Sequence, residues 1–233
     1  MNDRVALVTG TRTGIGRHVA GHLVSRGYTV IGCSRHPADW DLAGYEHVIA
    51  DVGEEEQVRA LLAGIRRRHG GLAVLVNNAG TASMNLLLTT PGETIERIVR
   101  TNLVGTVLVS REAAKLMLPR RWGRIVNFST VAVPLRLEGE SVYAAAKAAV
   151  ETFTRVLARE LAPLGITVNA IGPAPIATDM TKGVPPETLE ALLERLAIPR
   201  PSTLEDVTNV LDFLLREESG AVTGQTIYLG GAG

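Results

Sequence analysis

Residues 9–16 read Thr9-Gly10-Thr11-Arg12-Thr13-Gly14-Ile15-Gly16, and they lie between a short apolar run and a longer run of helical period. Three glycines thus stand where a strand turns into a helix. Glycine permits a tight turn, and the N–H groups and positive dipole end of the following helix attract an anion. The stretch predicts a βα unit with a phosphate site at the turn. Because the spacing is not the widespread G-x-G-x-x-G, the prediction depends on its position after a strand.

Beyond this turn, short apolar runs rich in β-branched residues alternate with runs of helical period. The apolar runs are continuous, as expected for parallel strands that helices cover on both faces. We predict an α/β fold, a Rossmann-type doubly wound parallel sheet flanked by helices. The predicted strands lie near residues 4–9, 28–33, 46–50, 72–76, 124–128, 165–171 and 225–229, and the predicted helices near 15–26, 54–69, 93–118, 143–162, 186–197 and 204–216.

Composition indicates an ordinary globular protein. Apolar residues are 45% of the 233, and no linker or repeat divides them, so we predict a single domain over 1–233. Lys plus Arg equals Asp plus Glu at 24 each, which argues against nucleic acid and anionic membrane as partners. The lone Cys33 excludes an internal disulfide and a cysteine metal cluster, and we interpret it as a buried strand residue; we expect no metal. The start of the chain leaves no room for a signal peptide before the first strand, so we expect a cytoplasmic protein.

The end of the second strand indicates which dinucleotide binds. An acidic residue there holds the ribose 2′-OH of NAD, whereas an arginine accommodates the 2′-phosphate of NADP. Here the strand ends Cys33-Ser34-Arg35, without a carboxylate. Arg35, with Arg12 as a second cation, would form charge-assisted bonds to a phosphate, and a solvated surface arginine is the alternative for each. The sequence therefore predicts NADPH.

Tyr143 and Lys147 are the candidate proton-transfer pair. They stand four residues apart in a strong helix former, so they project from one face. A phenol has a pKa near 10, and a nearby ammonium would lower it toward useful acid–base strength. The spacing alone is common, and a surface pair is the alternative.

In chain order, the motifs of residues 9–147 resemble those of the short-chain dehydrogenase/reductase family, in the compact subgroup that includes 3-oxoacyl-carrier-protein reductases. The resemblance covers essentially the whole chain. The matching motifs are Thr9 to Gly16, Asp51-Val52, Asn77-Asn78-Ala79-Gly80, Asn102, and Tyr143 with Lys147.

The resemblance implies a role for each matching residue. Tyr143 would donate a proton to a substrate carbonyl oxygen, while Lys147 would bind the nicotinamide ribose and lower the pKa of the tyrosine. Asn102 would organise a water relay, with a helix-kinking asparagine as the alternative. Residues 169–178 also resemble the family's stretch that cradles the nicotinamide, with matches at Pro173, Ile176 and Thr178. The cofactor-binding residues expected from this stretch, from the motifs and from the strand end are Gly10, Arg12, Thr13, Gly14, Ile15, Gly16, Ser34, Arg35, Asp51, Val52, Asn78, Ala79, Gly80, Tyr143, Lys147, Pro173, Ile176 and Thr178.

Three positions depart from the family pattern. The family's serine thirteen residues before the tyrosine is Thr130 here, which keeps the hydroxyl but adds a methyl group, and Ser129 is the fallback. Ala174 replaces a usual glycine, which would restrict the loop if that position needs a positive φ. Gly230 stands where aspartate is common.

The predicted substrate walls are residues 131–142 and a short lid at about 179–203. Val133, Leu135 and Leu137 would suit an apolar substrate body, and Arg136 or Glu138 would reach a polar group or simply be solvated. On the catalytic helix, Glu151, Arg155 and Arg159 form a narrow polar stripe beside abundant apolar surface. The family resemblance implies a homodimer or homotetramer packed through this helix and its predecessor.

The sequence predicts an enzyme that transfers a hydride from NADPH to a ketone and a proton from Tyr143, giving a secondary alcohol. A short lid favours a bulky, carrier-bound or polyketide-like ketone. Two alternatives stay open. One is a cofactor-binding sensor or scaffold with little turnover, and the other is alcohol oxidation with NAD.

Overall fold

The structure, a computed structural model, describes residues 4–176 and 185–232. Seven strands form a single, fully parallel sheet in the order β3-β2-β1-β4-β5-β6-β7, which confirms the predicted fold class. The strands are β1 (Val5–Thr9), β2 (Thr29–Ser34), β3 (Tyr45–Ile49), β4 (Val74–Asn77), β5 (Gly123–Phe128), β6 (Ile166–Gly172) and β7 (Thr226–Tyr228). The α-helices are α1 (Gly14–Ser25), α2 (Glu55–His69), α3 (Gly92–Val99), α4 (Gly105–Met117), α5 (Ala132–Leu135), α6 (Ser141–Leu161), α7 (Pro186–Leu193) and α8 (Leu204–Leu215).

Two hydrophobic layers cover the sheet because adjacent strand residues point to opposite faces. In β1, Val5 and Leu7 pack under α2, α4 and α6, whereas Ala6 and Val8 pack under α1 and α8. All four side chains are fully buried, which explains why β1 reads as a continuous apolar run. Cys33 is likewise fully buried in β2, as predicted, and burial raises the pKa of its thiol to about 12.

The strand order reverses direction between β1 and β4. The chain runs outward from β1 to β3 and then returns to place β4 on the other side of β1. Such a switch point leaves a crevice at the carboxyl ends of the two strands, where ligands bind in open α/β sheets. The glycine turn after β1 and the loop after β4 face each other there.

The helix predicted over 93–118 is wrong as a single element. It is interrupted between α3 and α4 by a π-helical turn, Arg100–Val104. The short helix α5 was not predicted, and α7 ends at Leu193, before the predicted residue 197. In the described ranges, no helix combines the length and apolar character that a membrane crossing requires.

Candidate active site

The glycine turn after β1 is held from behind by the loop after β4. The hydroxyl of Thr9 accepts hydrogen bonds from the backbone N–H groups of Asn78 (3.0 Å) and Ala79 (2.9 Å). The amide of Asn78 in turn donates to the carbonyls of Thr9 (2.9 Å) and Gly10 (3.2 Å). The side chain of Asn78 therefore supports the turn.

The turn has the form that a pyrophosphate requires. A Cβ atom at Gly16 would lie 2.2 Å from the Gly10 oxygen, and Gly10 and Gly14 have φ of +74° and +59°. Thr13, the N-cap of α1, makes no side-chain cap bond, and the first turn of α1 holds no acidic residue. The amino end of α1 is thus open to an anion, and these residues fit a dinucleotide.

Arg12 and Arg35 are both exposed beside this turn. Within residues 4–176 and 185–232, neither guanidinium forms an ion pair. Ser34, also predicted to contact the cofactor, is half-buried and donates its hydroxyl to the carbonyl of His36 (2.6 Å). The two arginines are therefore the groups here that are open to a phosphate.

Sequence reasoning missed a polar aromatic cluster at this end of the crevice. The hydroxyl of Thr11 lies 2.8 Å from the hydroxyl of Tyr45, which lies 2.7 Å from Nδ1 of His47. Trp40 stacks on Tyr45 with ring centroids 4.0 Å apart and donates to the Thr11 carbonyl (3.1 Å). The four residues come from three separate segments, so only the packing of β2 and β3 beside the turn brings them together.

Asp51 and Val52 follow β3 and differ in their placement. Oδ1 of the half-buried Asp51 accepts a hydrogen bond from the N–H of Gly53 (2.8 Å). Val52 is 6% exposed, and its side chain packs against Gly105. The side chain of Val52 thus belongs to the core, and the contact of this residue with the cofactor stays a prediction.

A cavity of about 750 Å³ opens where β4, β5 and β6 end. It brings together residues that are far apart in the sequence. The predicted site residues that line it are Ile15, Asn78, Gly80, Thr130, Tyr143, Lys147, Pro173 and Ile176.

Tyr143 is the buried phenol of this cavity, and Thr130 lies beside it in the cavity lining. Burial and the neighbouring Glu140 carboxylate raise the pKa of Tyr143 well above its usual range, and the side chain of Thr130 opposes them. The expected lowering of this pKa by Lys147 is therefore wrong for the chain by itself, since desolvation and a negative neighbour dominate.

Lys147 lies one turn further along α6 and is 4% exposed. Its Nζ donates to the carbonyl of Phe128 (2.7 Å) and lies 6.0 Å from the ring centroid of Tyr143. Burial lowers the pKa of Lys147 to about 8. The lysine thus loses its charge as the pH rises through that value.

Asn102 lies in the π-helical turn and is fully buried. Its Nδ2 donates to the carbonyls of Thr81 (2.7 Å) and Ile98 (2.9 Å), and its Oδ1 accepts from the N–H of Thr81 (3.3 Å). The side chain thus connects the irregular helix to the loop that follows Gly80. This is the arrangement expected if Asn102 is a helix-kinking asparagine, the alternative given above.

The two candidate hydroxyls after β5 have different partners. Thr130 is half-buried, faces the cavity beside Tyr143, and accepts a bond from the N–H of Ala132 (3.2 Å). Ser129 is buried and donates to Oε1 of Glu151 (2.5 Å). Glu151, expected on a polar stripe with Arg155, is itself only 5% exposed. That part of the stripe prediction is wrong, because α6 turns this position toward β5.

The segment after β6 forms the opposite wall. Pro173 and Ile176 are buried and line the cavity, whereas Thr178 lies outside the described residues. Ala174 packs in the core with an ordinary φ, since Arg121 and Arg136 are the non-glycine residues with positive φ among those described. The restriction expected from its methyl group is absent.

Position 230 requires glycine, because its φ is +81° and a Cβ atom there would lie 3.1 Å from the side chain of Leu196.

The predicted substrate walls are found in part. Arg136, Leu137 and Glu138 line the cavity, but Leu135 is buried in a cluster with Ala174, and Val133 does not line the cavity. Residues 179–184 of the predicted lid lie outside the described residues. The rest of the lid contributes Glu187, Thr188, Leu189, Ala191, Leu192 and Arg195 to the cavity. The cavity is also lined by Glu140, beside Tyr143, which sequence reasoning missed.

Comparisons with known proteins agree with this geometry. A family model described as enoyl-(acyl carrier protein) reductase matches residues 10–231. The chain is 34% identical to the 3-oxoacyl-acyl-carrier-protein reductase of Haemophilus influenzae, covering 99% of this chain and 98% of that one. It is 36% identical to the same-named enzyme of Pseudomonas aeruginosa, covering 99% and 97%.

Two solved structures also match this chain over nearly its full length. The ligand-free aldohexose dehydrogenase of Thermoplasma acidophilum superposes with a TM-score of 0.90 at 31% identity, covering 99% of this chain and 94% of that one. A putative gluconate dehydrogenase from Agrobacterium tumefaciens superposes with a TM-score of 0.89 at 30% identity, covering 98% and 94%. The chain therefore belongs to the short-chain dehydrogenase/reductase family of nicotinamide-dependent oxidoreductases.

Proposed function

We propose that the protein is an NADPH-dependent reductase that converts a ketone to a secondary alcohol, with a carrier-bound 3-oxoacyl or polyketide-like ketone as substrate. One domain, residues 1–233, would carry both the cofactor and the substrate. The observation that carries this proposal is the buried Tyr143, which lines the cavity beside the glycine turn together with Thr130 and Lys147. The 3-oxoacyl relatives support the substrate class.

In this proposal, the chain binds the ketone oxygen between two hydroxyl donors. Burial and Glu140 keep Tyr143 protonated at neutral pH, so it can give its proton to the oxygen. Thr130 donates a second hydrogen bond that holds the oxygen in place. NADPH, held by the glycine turn, would supply the hydride to the carbonyl carbon. The product is a neutral alcohol, and the proton lost by Tyr143 is replaced from water, with Asn102 proposed to help order that path.

The predicted cofactor roles of the glycine turn, Arg12, Arg35, Asp51 and the 173–178 segment are part of this proposal. Arg12 and Arg35 would hold the 2′-phosphate, and the amino end of α1 would hold the pyrophosphate. We also propose that the protein works in the cytoplasm, where its buried, free Cys33 would stay reduced. We further propose a homodimer or homotetramer packed through α4 and α6.

Alcohol oxidation is a second candidate, because the two solved structures described above are named as an aldohexose dehydrogenase and a putative gluconate dehydrogenase. A panel of ketones with NADPH and of alcohols with NAD, followed by absorbance at the nicotinamide band, separates the directions. We expect turnover of extended 3-oxoacyl thioesters, and we expect Tyr143→Phe to lower kcat by about a thousandfold. Full activity of Tyr143→Phe would refute the assigned acid. If the native protein converts none of these compounds, the alternative of a cofactor-binding sensor or scaffold is favoured.

A further inference from the structure

Helix α6 presents three side chains at successive turns toward the end of β5. Tyr143 lies beside Thr130 in the cavity lining, and Lys147 donates to the carbonyl of Phe128. The third side chain is Glu151, one turn beyond Lys147 and directed toward the same short segment, as the spacing of an α-helix requires.

Glu151 is a buried carboxylate without a role in the proton transfer described above. Its Oε1 accepts two hydroxyl hydrogen bonds, from Ser129 (2.5 Å) and from Tyr228 (2.6 Å). Ser129 immediately precedes Thr130, and Tyr228 is the last residue of β7. One carboxylate thus connects the catalytic helix, the end of β5 and the final strand of the sheet.

Tyr228 extends this connection to the cofactor side of the cavity. Its ring covers Gly172, where a Cβ atom would lie 2.4 Å from the ring. The next residue, Leu229, donates its N–H to the Gly172 carbonyl (2.9 Å), just before the segment that begins at Pro173. Tyr228 therefore fixes the start of the wall opposite Tyr143.

Backbone bonds tie these two sides of the cavity together. The N–H of Ser129 donates to Ile171 (2.8 Å), and that of Val131 donates to Pro173 (3.2 Å). If the Ser129–Thr130 segment shifts, the segment after β6 must shift with it. Glu151 binds the hydroxyl of Ser129 on one side and that of Tyr228 on the other, so it acts on both segments, which carry Thr130 and Pro173.

We propose that Glu151 is a positioning residue, which holds Thr130 against Tyr143 and fixes the Pro173–Ile176 wall through its bonds to Ser129 and Tyr228. This inference rests on the proposed reduction. It extends that proposal to a residue that never touches the substrate. A leucine at this position would fill similar space but would leave two buried hydroxyls without their acceptor, whereas glutamine keeps an acceptor oxygen.

The test compares Glu151→Leu with Glu151→Gln, with Thr152→Ala as the matched control on the exposed face of α6. Amide hydrogen exchange of Ser129, Val131 and Leu229 is measured first, without cofactor or substrate, followed by kcat, KM and NADPH affinity. For Glu151→Leu we expect exchange to be faster and kcat to be lower by about tenfold or more, with NADPH affinity within about threefold of native. Glu151→Gln and Thr152→Ala should stay near native.

Unchanged kcat in a folded Glu151→Leu protein would overturn the positioning role, as would equal impairment of Glu151→Gln. If Glu151→Leu does not fold, Tyr228→Phe removes one bond and keeps the ring. It should give a smaller change of the same kind, and native exchange and kcat would overturn the proposal. The exchange measurement needs no substrate, so it tests the connection made by Glu151 whether or not the protein reduces a ketone. If the native protein reduces no ketone, the proposed function is refuted separately.

Discussion

At the scale of single residues, the proposed preference for NADPH rests on a contact between Arg35 and the 2′-phosphate. Arg35→Ala should weaken NADPH binding about tenfold or more, because a charge-assisted bond is lost, and should leave NADH binding nearly unchanged. Titration by nicotinamide fluorescence measures both affinities. Arg59→Ala is the control, since Arg59 pairs with Glu55 on α2 and lies away from the turn. Equal losses of affinity for NADPH and NADH would show that Arg35 does not bind the 2′-phosphate.

Glu140 is the charged neighbour that acts on Tyr143, the proposed catalytic acid. Its carboxylate raises the pKa of Tyr143, and burial raises the pKa of Glu140 itself. No described residue forms an ion pair with it. Removing a negative neighbour stabilises the phenolate and so lowers the pKa of Tyr143.

Reduction needs Tyr143 protonated, so Glu140→Gln should move the alkaline limb of kcat/KM toward lower pH, by about 0.5–1 unit. Rates across the alkaline range, with NADPH saturating, measure this shift. The matched control is Glu138→Gln, because Glu138 is an exposed carboxylate of the same wall and is not among the groups that act on Tyr143. An alkaline limb that stays in place in Glu140→Gln, or that moves equally in both variants, would contradict the assignment.

At the scale of elements, the side chain of Asn102 binds the π-helical turn between α3 and α4 to the loop after Gly80. Asn102→Ala removes the hydrogen bonds to the carbonyls of the half-buried Thr81 and the buried Ile98. We expect a loss of about 2 kcal/mol in the free energy of unfolding, or about 4–8 °C in Tm for a domain of this size, together with a lower kcat. Calorimetry with Thr101→Ala as control checks this. A native Tm would show that the turn does not depend on the amide.

At the scale of the whole molecule, the apolar surface of α6 is the expected contact between subunits. Val156 is 51% exposed on α6, and Val104 beside the start of α4 is 37% exposed. Val156→Glu should dissociate the oligomer, because a buried unpaired charge is costly. Sedimentation measures the mass.

Phe213→Glu is the matched control for this prediction. Phe213 is 41% exposed on α8, which covers the other face of the sheet, so its replacement should leave the assembly intact. A native monomer at micromolar concentration would remove the inference.

Local patterns alone predicted the continuous strands, the glycine turn and the Tyr143–Lys147 pair. They succeed where a property depends on neighbours in sequence: apolar runs mark buried strands, and glycines mark positive φ. Asn102 and Thr130 were identified through the family motifs, but their bonding partners were not.

Tertiary structure decided the rest, because the side chains involved meet only across the sheet. The burial of Glu151, against its expected place on a polar stripe, depends on Ser129 and Tyr228, which are 22 and 77 residues away in the chain. The raised pKa of Tyr143 follows from desolvation, which periodicity does not report. The Thr11–Tyr45–His47 cluster requires the turn, β2 and β3 to pack in one register. The sequence by itself thus determined the fold and the candidate chemistry, whereas only long-range packing determined the environments and protonation of the groups that carry it.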